Sequence, residues 1–201
     1  GSRDGAREGA LAALRTRHTT LAGELLSPAA ARAFLEGFER DCADLAGLLH
    51  TVALTRVAGR SVGDLVAGYG ELWSTRLFEA YLRERARRAG RVSWLDARRC
   101  VIVEWGPLGP AVQWAESRRA CDALVAAASA ATLVVPGFVA SDARGVQTTL
   151  GRNGSDFSAS IFGALLDAGE IHIWTDVDGV LSADPRRVPE ARVIDSLSYD
   201  E

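Results

Sequence analysis

Beyond Gly90 the apolar residues of this chain change their spacing, and that change limits the folds open to it. Residues 92–95, 101–105, 133–135, 146–150 and 171–174 are short apolar runs of strand length. Residues 116–130 and 156–168 between them read as helices, and Gly169 is placed to supply the left-handed residue that ends the second. Strands alternating with helices imply α/β layers around a mainly parallel sheet. Before Gly90 the period is helical throughout. Leu11, Leu14, Leu21 and Leu25 share one face of a helix over 6–26, with His18 on the same stripe as a core histidine. Ser27-Pro28 is a cap followed by proline at a first helical position, and Phe34, Leu35, Phe38, Cys42, Leu45 and Leu49 form a second stripe. The two segments predict a helical hairpin over 1–60, with the α/β part over 61–201. Ser61 caps a short helix that is expected to break at Gly68-Tyr69-Gly70, with a longer one starting at Glu71 and running to about residue 88.

A core of ordinary size is available, since 48% of the 201 residues are hydrophobic and 24% charged. A net charge of -3 gives no basic stripe for nucleic acid. No apolar run approaches the roughly 18 residues of a membrane span, and no signal segment opens the chain, so no membrane partner and a cytoplasmic location are expected. Cys42, Cys100 and Cys121 lack metal-site spacing and read as buried thiols. There is no lysine, so every basic residue is arginine. There is no methionine either, and residues 198–201 look like the capped opening of a further helix. Both features fit a fragment cut at both ends.

The chemistry gathers in three loops. In L150-G-R-N-G-S-D156 a strand runs into a helix through two glycines that permit a sharp turn and close backbone approach. Ser155 stands at the expected N-cap, and the free amides and positive end of the helix behind it favour an anion. Arg152 offers a planar fork for a carboxylate or phosphate. Asp156 beside it makes sense if a cation is also present. Thr175 and Asp176 fall at the carboxyl end of the strand over 171–174, where open α/β sheets bind ligands. Asp176, Asp178 and Asp184 lack calcium-loop spacing. Arg186 is placed to reach a phosphate, and His172 reads as structural. Glu71 is a carboxylate expected at a helix start.

The strings G68-Y-G-E-L-W-S-T75, Pro136-Gly137-Phe138-Val139, T148-T-L-G-R-N-G-S-D156, I173-W-T-D-V-D-G-V180, A183-D-P-R186 and S196-L-S-Y199 together resemble the aspartate kinases of the amino-acid kinase family, in the family's order. The resemblance implies a three-layer α/β/α fold and ATP-dependent phosphorylation of the β-carboxylate of L-aspartate, on the route to lysine, threonine and methionine. It implies Mg2+ with the ATP, and self-association of the full-length protein. It also implies roles. Glu71 receives the substrate ammonium. Arg152 grips a carboxylate, aided by Ser155 and the backbone near Phe138. Asp156 organises the reacting groups, and Thr175, Asp176 and Arg186 line the nucleotide site. The family's K-F-G-G-[ST] and F-G-A-K lysine strings are absent, as are its regulatory ACT domains, and Leu181 replaces a frequent tyrosine. Without those two lysines this chain by itself is expected to be very slow or inactive. Asn153, in place of the glycine of lysine-sensitive forms, resembles the forms fused to homoserine dehydrogenase. Glutamate, N-acetylglutamate or UMP as acceptor stays open, as does a binding module without chemistry. Glu71 discriminates, because an acylated amine or a nucleotide has no ammonium to pair with it.

Overall fold

The computed structural model describes residues 2–85, 91–174 and 178–198. Its contacts divide the chain into Gly1–Ala168 and Gly169–Glu201. In the first unit α1 (Ser2–Leu25) and α2 (Pro28–Thr55) form the expected hairpin. Ser27 caps α2, its hydroxyl oxygen accepting from the Ala30 amide at 3.4 Å. His18 is a core histidine. It stacks on Phe38 at 4.5 Å, and its Nδ1 lies 2.8 Å from the Leu14 carbonyl.

The next helix departs from expectation. α3 (Arg60–Arg85) runs unbroken through Gly68-Tyr69-Gly70. A glycine pair costs a helix about 1 kcal/mol per residue but does not end it. The reason for Gly68 lies across the helix. A Cβ there would fall 2.9 Å from Val139 Cγ1 and 2.2 Å from Gln147 Nε2. The glycine lets α3 lie directly on two strands. Glu71 is therefore mid-helix, and the reading of it as an N-terminal dipole partner is wrong.

The strands are short: β1 (Val92–Trp94), β2 (Val103–Gly106), β3 (Gly109–Val112), β4 (Thr132–Val134), β5 (Val139–Ser141) and β6 (Gln147–Thr149). β1 and β4 pair in parallel, Ser93 opposite Leu133, and a parallel bridge joins Ile102 to Ser141. β2–β3 and β5–β6 are antiparallel hairpins, so the α/β class holds with two tight ribbons that the spacing did not suggest. β3 and β5 stand where no strand was expected. α4 (Trp114–Ala128) and α5 (Gly154–Leu165) complete the unit. α5 stops short of the expected end: Asp167, not Gly169, takes the left-handed conformation, at φ 48°.

Among the described residues the core has three clusters. Leu72, Val101, Val103, Val139, Ile161 and Leu165 pack with Cys100 and Cys121. Leu11, Phe38, Cys42, Leu45 and Trp73 form a second, and Ala22, Leu26, Ala31 and Leu77 a third. All three cysteines are free and buried, and burial pushes the Cys100 thiol well up.

In the second unit residues 171–174 are not a strand. Among the described residues no strand pairs with them, and Trp174 is 93% exposed. An apolar run without a partner strand has no ladder to join. The unit's order comes instead from a bridge between Leu181 and Val193, with Ser182 N–H donating to the Arg192 carbonyl at 2.9 Å. No helix among the described residues is long and apolar enough to cross a membrane.

Candidate active site

Two turns lock together at the carboxyl end of β6. The Leu150 amide donates to the Phe138 carbonyl at 2.8 Å. The Phe138 amide donates to Ser158 Oγ at 2.8 Å, and that hydroxyl donates to the Gly154 carbonyl at 2.7 Å. Between these bonds Phe138 is held at φ 65°, a left-handed conformation that few bulky residues adopt. Such strain persists only where surrounding bonds over-determine it, and it gathers at ligand sites. The glycines are required by packing. A Cβ on Gly154 would lie 2.7 Å from Phe138 Cδ2, and one on Gly137 would lie 3.3 Å from Ser155 Cα. Gly151 turns the chain at φ 74°.

Ser155 is not the N-cap. Asn153 holds that place at φ 56°, with no side-chain capping bond. Asparagine tolerates this conformation better than most residues. Ser155 and Asp156 consequently lie in the first turn of α5, where amides have no carbonyl of their own helix to bond and the helix dipole is positive.

The loop faces α3 across a cleft of about 320 Å³. Glu71 from α3, Phe138 from the first turn, and Ser155 and Asp156 from α5 all line it, with Gly151, Asn153 and Gly154. Four residues singled out in three separate stretches of sequence thus converge. Burial pushes the Glu71 carboxyl above the ordinary glutamate value, because its charge loses water around it. A half-buried carboxylate of this kind is poised to take a cation.

Arg152 sits on the same turn, between two lining residues, but does not itself line the cleft. Its side chain is exposed and makes no bond among the described residues. Its guanidinium therefore does not join Glu71 in lining the cleft. A long cationic side chain can keep its charged head in water when no described residue bonds it. Thr175 and Asp176 lie outside the described residues. Arg186, in the second unit, is exposed. Its amide donates to Asp184 Oδ1 at 2.9 Å, and its Nε lies 3.7 Å from the same oxygen. Among the described residues no group of three or more His, Cys, Asp or Glu is placed to hold a metal ion. His172 lies 2.9 Å from Glu170 on an exposed stretch.

Sequence reading missed a support behind the loop. Asp64 of α3 accepts bonds from the Thr148 and Thr149 hydroxyls, and Trp105 stands against Gly151. The threonine pair was visible in the loop string, but its partner lies more than 80 residues away and no local pattern points to it.

The model of the amino acid kinase family matches residues 10–201. The chain is 39% identical to a chloroplastic bifunctional aspartokinase/homoserine dehydrogenase of Daucus carota, over all of this chain and 22% of that protein. It is 35% identical to the lysine-sensitive aspartokinase 3 of Escherichia coli, over 79% of this chain and 33% of that one. Among solved structures, E. coli aspartokinase III in complex with aspartate and ADP superposes with a TM-score of 0.81 at 30% identity, over 95% of this chain and 41% of that one. The chain spans about 22% of the length of the first of these curated relatives. Sequence strings, fold and interlocked turns agree, and this chain belongs to the amino acid kinase family.

Proposed function

We propose that this chain is part of an aspartate kinase, which transfers the γ-phosphoryl group of ATP to the β-carboxylate of L-aspartate in the biosynthesis of amino acids. The observation that carries the reading is the meeting of a desolvated carboxylate, Glu71, with the first turn of α5 in one cleft. L-aspartate carries an ammonium and two carboxylates, and the cleft offers a partner to the ammonium and to one carboxylate. Glu71 pairs with the ammonium. The α5 amides, Ser155 and the Phe138 backbone hold one carboxylate, and Arg152 closes over it from the loop. The other carboxylate presents an oxygen to the γ-phosphorus. The new O–P bond forms as the bond to the β,γ-bridging oxygen breaks, and ADP departs. Asp156 keeps the reacting groups in register. Thr175, Asp176 and Arg186 are the residues proposed to bind the nucleotide, and Mg2+ would offset charge on the phosphates of bound ATP. The aspartokinase III solved with aspartate and ADP supports the substrate pair. The full-length protein is proposed to act in the soluble phase, as a homo-oligomer.

The test is trapping of the acyl phosphate. Full-length protein with ATP and Mg2+ should convert L-aspartate, in hydroxylamine, to the aspartyl hydroxamate. Calorimetry should rank L-aspartate above glutamate and N-acetylglutamate. Hydroxamate formed from N-acetylglutamate but not from L-aspartate would overturn the reading, because Glu71 would then have no ammonium to bind.

A further inference from the structure

We infer that Asp64 is a positioning residue for the substrate site, fixing the loop at 150–156 relative to the helix that carries Glu71. The inference rests on the reading of the cleft given above. Asp64 precedes Glu71 by about two turns on α3. Its Oδ2 accepts from Thr148 Oγ1 at 2.9 Å, and its Oδ1 accepts from Thr149 Oγ1 at 3.3 Å. Successive strand residues normally point to opposite faces. One carboxylate that holds both hydroxyls therefore fixes the rotation of β6 about its own axis, one residue before the loop begins. Both threonines are buried, so removing Asp64 takes away the acceptor that their hydroxyls have inside the fold.

The clasp is closed by a second path. Trp105 Nε1 donates to Thr148 Oγ1 at 2.8 Å. The same ring stands against the loop, since a Cβ on Gly151 would meet Trp105 Cη2 at 3.7 Å. The Arg60 guanidinium stacks 3.2 Å over the Trp105 ring, and its Nε lies 3.6 Å from Asp64 Oδ2. Arg60, Trp105, Thr148 and Asp64 thus form a closed circuit of contacts behind the loop. None of them lines the substrate cleft. What the circuit controls is the separation between the carboxylate on α3 and the amides on α5. The ammonium and carboxylates of one amino acid lie at a covalently fixed spacing. A loop that drifts satisfies one group or the other, not both.

The experiment compares Asp64→Ala, Thr148→Val and Thr148→Ser in the full-length protein. Asp64→Ala and Thr148→Val should each raise the KM for L-aspartate roughly tenfold and leave the KM for ATP within about twofold. Thr148→Ser keeps the hydroxyl and should keep the wild-type KM. Succinate, a dicarboxylate without an ammonium, supplies the readout that a merely structural role would not move. Its inhibition constant should change much less than the KM for L-aspartate, because it touches only one of the two grips. If Asp64→Ala fails to fold, the threonine pair still decides. Unchanged L-aspartate KM in a folded Asp64→Ala or Thr148→Val protein overturns the inference, and so do equal losses for L-aspartate and succinate. If the wild type does not phosphorylate L-aspartate, the proposed function fails and this inference falls with it. If the wild type does so and the variants match it, this inference alone fails.

Discussion

Glu71 sets the pH response at the scale of one residue. A carboxyl raised by burial binds its proton more tightly in the folded chain than in the unfolded one. The stability it permits is fully present below the ordinary glutamate pKa and declines as pH rises through the raised one. Glu71→Gln is neutral throughout and escapes that decline. The variant should melt at a higher temperature than the wild type at pH 7, with the two curves converging below about pH 4. Thermal melts across pH check this, and a difference that stays constant with pH would count against desolvation as the cause. The same variant should lose affinity for L-aspartate, since an amide does not neutralise an ammonium. Arg152 should behave in the opposite way. It is exposed and unbonded among the described residues, so Arg152→Ala should leave the melting temperature unchanged. It should weaken L-aspartate binding by about 1.5–3 kcal/mol, the worth of hydrogen bonds to a charged group. Calorimetry beside a melt separates the two effects, and a variant that melts lower without losing affinity would remove Arg152 from the site.

At the scale of the element, α3 teaches what the sequence carries and what it hides. Gly68 and Gly70 look alike in the chain, and both suggested a break. In the fold they differ. Gly68 is pressed between Val139 and Gln147, whereas a Cβ on Gly70 meets nothing within 4 Å. Gly68→Ala should destabilise by about 1–3 kcal/mol through overpacking against buried Val139, partly offset by better helix propensity. Gly70→Ala should stabilise by up to about 1 kcal/mol. Chemical denaturation reads both, and equal effects would mean that close approach is not the reason for Gly68. Periodicity made the α1–α2 hairpin, α4 and the β6–loop–α5 passage legible, because each buries one regular face. It could not reveal β5, whose Val139-Ala140-Ser141 is too short and small to signal a strand, and which exists by pairing with β6. It misread residues 171–174 for the converse reason: strong strand formers, no partner. The site was legible as residue types, since glycines, Arg152, Ser155 and Asp156 sit within one loop. The state of Glu71 was not, because burial mid-helix depends on elements distant in sequence.

The same helix governs the first unit as a whole molecule. α3 sends Leu72 into the cluster beneath the strands, Trp73 into the one beside Phe38, and Leu77 into the one against α1 and α2. Polar ties follow the same route. Trp73 Nε1 and Arg76 Nη1 both donate to Asp41 of α2, at 2.9 and 2.7 Å, and Trp94 Nε1 of β1 donates to Thr75 Oγ1 at 2.9 Å. No cluster can be lost without exposing a side of α3, so residues 1–168 should unfold in one step. Leu72→Ala acts on the strand side and Leu77→Ala on the helical side, and each should cost about 2–5 kcal/mol. Far-ultraviolet circular dichroism reports mainly α1, α2 and α3, and the change in tryptophan fluorescence reports mainly Trp73, Trp94 and Trp105, since Trp114 and Trp174 are already exposed in the folded chain. Both signals should shift together in either variant, with coincident midpoints. A Leu72→Ala protein whose fluorescence transition moves while its helical transition stays in place would show that α3 does not couple the layers. The cleft would then be built from two independently melting halves, with Glu71 on one and the α5 loop on the other.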